Sequence, residues 1–213
     1  MISLDTARVE LAALLSSAVT MPFPRLLASE SLMAPSPHPT PVVFVHGLCG
    51  SPTNFWALRR HLARRGVARF GSFRYPPRLD YQALAPWLGT FIDALCKRNG
   101  VSEVDVVGHS LGGIIARYLI EHGDGARVRR LVSLGAPWYG TRFPSRELAL
   151  FGAEDWLIPT PTAPRAHGQV VNLPGCGHLG LLYDLAAHEH VASFLTAPRG
   201  TIRLAIGREH RAA

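Results

Sequence analysis

The chain of 213 residues is poor in charge, in aromatic rings and in cysteine: 17% of its side chains are charged, 8% are aromatic and three are cysteines. Each shortage excludes something. No apolar run approaches the ~20 residues that a bilayer-spanning helix needs. Basic residues outnumber acidic ones by 22 to 15, for a net charge of +7, yet no long basic run and no nucleic-acid motif accompanies them. The excess therefore reads as a solvated basic surface, and no nucleic-acid partner is expected. Cys49, Cys96 and Cys176 cannot all pair within one chain, which favours a reducing, cytoplasmic setting or a role as small core residues. The sequence leaves a bridge between Cys49 and Cys176 open. Cys176, His178, His188 and His190 lie near one another in sequence, but their spacing matches no familiar metal site, so neither a metal nor a cofactor is expected. There is no internal repeat.

What is present is apolar: hydrophobic residues make up 47% of the chain, enough for one domain with a substantial core. Residues 11–19 are apolar and small, but Asp5 and Glu10 offset Arg8, so the positive start of a secretory signal is missing. The segment predicts a short amphipathic helix, of the kind that can rest weakly on a membrane surface. Residues 34–41, Ala-Pro-Ser-Pro-His-Pro-Thr-Pro, predict a stiff extended spacer. The expected organisation is an N-terminal helix and proline-rich linker over 1–41, a globular body over 42–198 and a basic tail over 199–213. Within the body, strands are predicted at 42–45, 69–73, 104–107, 129–133, 148–152 and 168–172. Helices are predicted at 53–65, 81–98, 111–122 and 185–196. Such alternation predicts an α/β fold, a mostly parallel sheet of about six strands with helices on both faces.

Residues 108–113 read Gly-His-Ser-Leu-Gly-Gly, between an apolar β-branched run (104–107) and a helical pattern (114–120). Strand, Gly-x-Ser-x-Gly, helix is the signature of a nucleophile elbow, a tight turn that pushes a serine Oγ into the open. Ser110 is the candidate nucleophile. Such a serine needs oxyanion donors, a base, and a group to orient the base. The strand at 42–45 runs into His46-Gly47-Leu48-Cys49-Gly50, and the backbone amides of Leu48 and Leu111 are the candidate oxyanion donors. Among ten histidines, His178 lies in a glycine-rich loop just past the final predicted strand, so it is the candidate base. Glu154 and Asp155 end the strand before it, and because they are adjacent only one can face His178. Asp155 is preferred and Glu154 is the alternative. Chain order is then nucleophile, acid, base.

With these residues in place, the chain resembles small bacterial lipases and esterases of the α/β-hydrolase superfamily. The likeness rests on four segments: Val-Phe-Val-His-Gly-Leu-Cys-Gly (43–50), Val-Val-Gly-His-Ser-Leu-Gly-Gly (106–113), Leu-Gly-Ala-Pro-Trp-Tyr-Gly-Thr (134–141) and Leu-Pro-Gly-Cys-Gly-His-Leu-Gly-Leu-Leu (173–182). The resemblance implies a carboxylic-ester hydrolase working through an acyl-enzyme on Ser110, with a small ester or a lipid as substrate. Acyltransferase or thioesterase chemistry uses the same three groups and stays open, as does a silent binding module on the same fold. In many relatives a lid is inserted after the strand ending near Gly135. Here only about a dozen residues follow before the next strand, which implies a minimal, lid-less form without a cap domain and with an exposed site. His46, His109, Trp138, Tyr139 and Trp156, with Phe143, are candidates for lining the substrate site, and core packing accounts for each aromatic equally well.

Overall fold

A computed structural model describes residues 3–138, 146–160 and 168–198. The elements run in the order α1 (Leu4–Thr20), α2 (Pro24–Leu27), β1 (Val42–Val45), α3 (Trp56–Arg64), β2 (Phe70–Phe73), α4 (Tyr81–Asn99), β3 (Val104–His109), α5 (Leu111–His122), β4 (Val128–Leu134), β5 (Glu147–Gly152), β6 (Gln169–Leu173) and α6 (Leu185–Thr196). The strands form one six-stranded sheet in the order β2-β1-β3-β4-β5-β6. Every neighbouring pair is parallel. Each strand is short and apolar because both sheet faces are covered.

Alternation along each strand sends side chains to opposite faces. Val43 and Val45 of β1 join a core with Leu88 and Ile92 of α4 and Ile115 and Leu119 of α5. Val42 and Phe44 join a second core with Leu58 and Leu62 of α3 and Val191 and Leu195 of α6. Each of these fully buried side chains contributes on the order of 1.5–3 kcal/mol. Two ion clusters tie the layers together. Arg117 of α5 donates from Nε and Nη2 to Glu147 of β5, at 3.0 and 2.6 Å, and from Nη1 to the Pro137 carbonyl at 2.8 Å. Arg129 and His38 both reach the buried carboxylate of Asp105.

Three expectations are modified. The helix predicted at 53–65 opens as a 3₁₀ turn, Pro52–Phe55, fastened by a capping box between Ser51 and Asn54, and becomes α-helical only at Trp56. The proline-rich segment does not hold the N-terminal helix apart from the body. Ser36 Oγ donates to the Gly66 carbonyl at 2.9 Å, the His38 amide donates to the same carbonyl at 3.1 Å, and Thr40 and Pro41 are buried. Finally, α1 lies on the body with its polar side inward. Asn54 Nδ2 donates to Ser17 Oγ at 2.8 Å, Trp56 Nε1 to Ser16 Oγ at 3.3 Å, and the Ser3 amide to Glu154 at 2.6 Å. Leu11 and Leu15, each 57% exposed, face outward. Among the described residues no helix is long and apolar enough to cross a membrane. The expected basic tail, 199–213, lies outside the described residues.

Candidate active site

Parallel strands deliver all their C-terminal ends to one edge of the sheet, where ligands of such folds sit. The loops after β1, β3, β4, β5 and β6 meet there around a cavity of about 870 Å³. Ser110 follows β3 directly and caps α5, with φ 51° and ψ −121°. Among the described residues only Ser110 and Cys49 combine a side chain with positive φ, a conformation that persists where surrounding structure enforces it. The enforcement is visible. The Ser110 amide donates to the Leu134 carbonyl at 2.8 Å. A Cβ on Gly108 would lie 2.6 Å from the Gly112 carbonyl carbon, and one on Gly112 would collide with the Val45 carbonyl. Glycine at 108 therefore lets α5 pack closely on β3, and glycine at 112 lets it pack closely on the end of β1.

The Ser110 amide is thus occupied, whereas Leu111 is the first residue of α5, where an N–H has no acceptor within the helix. Leu48, 42% exposed, lies between Gly47 and the left-handed Cys49, and the Gly50 amide closes the turn on the Gly47 carbonyl at 3.0 Å. Leu48, Leu111, Ser110 and His178 all border the cavity.

His178 is buried, and its Nδ1–H donates to Asp155 Oδ2 at 2.7 Å. The other carboxylate oxygen of Asp155 accepts from the amides of Leu157 and Ile158, at 2.9 and 2.8 Å. Glu154 turns the opposite way, to Ser3, whose amide holds its carboxyl below the usual carboxylate range. Gly135, at φ 54°, makes room for the imidazole: a Cβ there would lie 3.1 Å from His178 Nδ1. Among the described residues no hydrogen bond joins Ser110 Oγ to His178, a link that commonly tightens with substrate bound. Since Nδ1 is taken, Nε2 is the nitrogen free for proton transfer.

His109 packs beside that ring, 4.7 Å between centroids, and its Nε2–H donates to the His178 carbonyl at 3.2 Å. Burial, reinforced by the neighbouring imidazole of His178, lowers its pKa to about 3, so it stays neutral. His109 borders the cavity, whereas His46 does not. His46 lies flat on Tyr75, 4.4 Å between centroids, with its Nδ1 on the Gly47 carbonyl, and burial lowers its pKa. Trp156 stands at the cavity rim, 73% exposed. Trp138 instead packs on Ala149 and Phe151, away from the cavity lining. Tyr139 and Phe143 lie outside the described residues. The four residues weighed as a metal site do not converge: His178 is committed to Asp155, and His188 Nε2–H donates to the Leu182 carbonyl at 2.9 Å. All three cysteines are free, Cys49 exposed and Cys96 and Cys176 buried.

A family model for the alpha/beta hydrolase fold matches residues 40–157, more than half of the chain. The chain belongs to the alpha/beta hydrolase fold family. Solved structures agree on the fold. The mature lipase BlEst2 of Bacillus licheniformis superposes with a TM-score of 0.63 at 16% identity, over 79% of this chain and 96% of its own. Aspergillus fumigatus lipase B gives 0.62 at 16% identity, over 80% of this chain and 55% of its own. A CIB-like hydrolase from Thermoplasma acidophilum gives 0.59 at 15% identity, over 75% and 87%. Against that alpha/beta hydrolase frame this chain is a minimal form: twelve residues, 135–146, separate β4 from β5 in sequence, and 139–145 of these lie outside the described residues.

Sequence reasoning missed part of the wall. Glu10, Leu14 and Ser17 of α1 border the cavity, as do Asn54, Leu79 and Tyr81. A signal was available in α1: Ser3, Thr6, Glu10, Ala13, Ser17 and Thr20 repeat every three or four residues, one helical face made of small and polar groups.

Proposed function

We propose that this hydrolase is a serine carboxylic-ester hydrolase whose nucleophile is Ser110. The observation that carries the reading is the Asp155–His178 hydrogen bond on the rim of the cavity into which the strained Ser110 turn opens. His178 Nε2 takes the proton of Ser110 Oγ as the oxygen attacks an ester carbonyl, and Asp155 stabilises the imidazolium that results. The amides of Leu48 and Leu111 hold the tetrahedral oxyanion. His178 then protonates the departing alcohol, and water repeats the sequence to release the acid. Leucine, isoleucine and tryptophan side chains form much of the cavity surface, which supports an acyl chain as the group bound.

The test is hydrolysis of p-nitrophenyl esters from acetate to palmitate by wild type and Ser110→Ala, with fluorophosphonate labelling alongside. Turnover should fall by about 10³-fold or more in the variant, because triad members act as a unit, and labelling should disappear. A variant that keeps more than about a hundredth of the wild-type rate refutes the assignment. Labelling of Ser110 without ester turnover would instead favour an acyl acceptor other than water.

A further inference from the structure

α1 reaches the loop that carries His178. The carboxylate of Glu10 spans the two amides that follow this histidine: Oε2 accepts from Leu179 N–H at 2.9 Å and Oε1 from Gly180 N–H at 2.6 Å. Glycine on both sides leaves room for the carboxylate. A Cβ on Gly177 would lie 2.6 Å from Glu10 Cδ, and one on Gly180 would lie 3.0 Å from Glu10 Oε1. The Gly177-His178-Leu179-Gly180 run is thus shaped around a side chain that precedes it by almost the whole chain.

The rest of α1 holds that side chain in place. Ser17 bonds Asn54 and lies 3.0 Å from the Tyr183 hydroxyl, Ser16 bonds Trp56, and the helix start is tied to Glu154. His178 is then fixed from three directions. Asp155 holds its ring, His109 holds its carbonyl, and Glu10 holds the amides just beyond it. Charge-assisted bonds to two backbone N–H groups are the strong kind, and misplacing a catalytic group by about 1 Å can cost ~10²-fold in rate.

We propose that Glu10 is a positioning residue of the active site, acting through the Leu179 and Gly180 amides to hold His178 in register with Ser110. The inference rests on the ester-hydrolase reading for its rate measurement, but not for its structural one. Glu10→Ala and Glu10→Gln are compared with wild type and with Ser16→Ala, which loosens α1 without touching the His178 loop. The readouts are kcat per fluorophosphonate-titrated site, KM, and the low-field proton resonance of His178 Nδ1–H. Glu10→Ala should lose about tenfold in kcat with KM within about twofold, and its Nδ1–H resonance should broaden or vanish. Glu10→Gln, which keeps one acceptor oxygen and the side-chain shape, should fall between it and wild type. Ser16→Ala should stay within about twofold of wild type. An unaltered resonance in Glu10→Ala, or a kcat within about twofold of wild type, overturns the proposal. So does an equal loss in Ser16→Ala, since the docking of α1 and not the carboxylate would then be what matters. Because the resonance needs no substrate, a wild type inactive on esters would sink the ester reading and leave this one still decidable.

Discussion

His109 offers the sharpest test of the electrostatics beneath the site. Its ring is buried and its pKa lies at about 3 in the folded protein, against 6.5 for an ordinary histidine. The sign follows from proton counting. Below pH 6.5 the unfolded chain takes up a proton on this histidine while the folded chain does not, so stability is fully present above 6.5 and drains away as pH falls toward 3. A single such site loses roughly 1 kcal/mol or a little more per pH unit, hence about 2–3 kcal/mol between about pH 6 and pH 4. His109→Gln keeps a donor for the His178 carbonyl but does not titrate. Urea unfolding of both proteins at half-unit pH steps brings out the term, because groups not coupled to His109, such as His188, cancel in the difference. The wild-type minus Gln difference should shift by about 2–3 kcal/mol across that window, against wild type as pH falls, and stay flat above about pH 7. A difference independent of pH would mean that His109 is protonated as readily in the fold as in the coil, and the account of a neutral buried imidazole behind His178 would be wrong.

Three further outcomes follow from the same contacts. Asp155→Asn should lower kcat by about 10³–10⁴-fold in ester assays, whereas Glu154→Gln should remain near wild type; comparable losses in both would undo the assignment of the carboxylate that faces His178. Arg117→Leu leaves Glu147, wholly buried, without its guanidinium, and should destabilise by about 3–5 kcal/mol in urea unfolding; a loss under about 1 kcal/mol would show that Ser133 and water suffice. Thiol titration with an aromatic disulfide should find one fast-reacting group, Cys49, in the native protein and three after unfolding; burial pushes the Cys176 thiol up to about 12, and a single thiol after unfolding would reveal a bridge.

The sheet was legible because each strand is an apolar run bounded by turn residues, and predicted and observed ends differ by at most two residues. β3 is the instructive case. It runs on through Gly108 and His109, two residues past the apolar stretch, because the backbone must stay extended until the sharp turn at Ser110. The helix predicted from residue 53 began late for a comparably local reason, the Pro52 and Ser51–Asn54 device that tightens its first turn into 3₁₀ geometry. The roles of Trp138 and Trp156 were not legible. Both follow strand ends, and only the path of the backbone decides that one packs on Phe151 while the other stands at the cavity mouth.

The N-terminal helix was expected, but the face by which it docks was hidden for a deeper reason. Pattern reading finds the buried face of a helix by its apolar stripe, since burying apolar surface is the usual reason to dock. α1 reverses that: it docks on a loop whose unmet requirement is hydrogen bonding, because Leu179 and Gly180 expose amides just after a turn. The groups that meet such a requirement are carboxylates and hydroxyls, so the informative periodicity in this helix is that of Ser3, Thr6, Glu10, Ser17 and Thr20, while Leu4, Leu11 and Leu15 face outward. Of the two carboxylates that offset Arg8, Glu10 is the one that reaches the His178 loop.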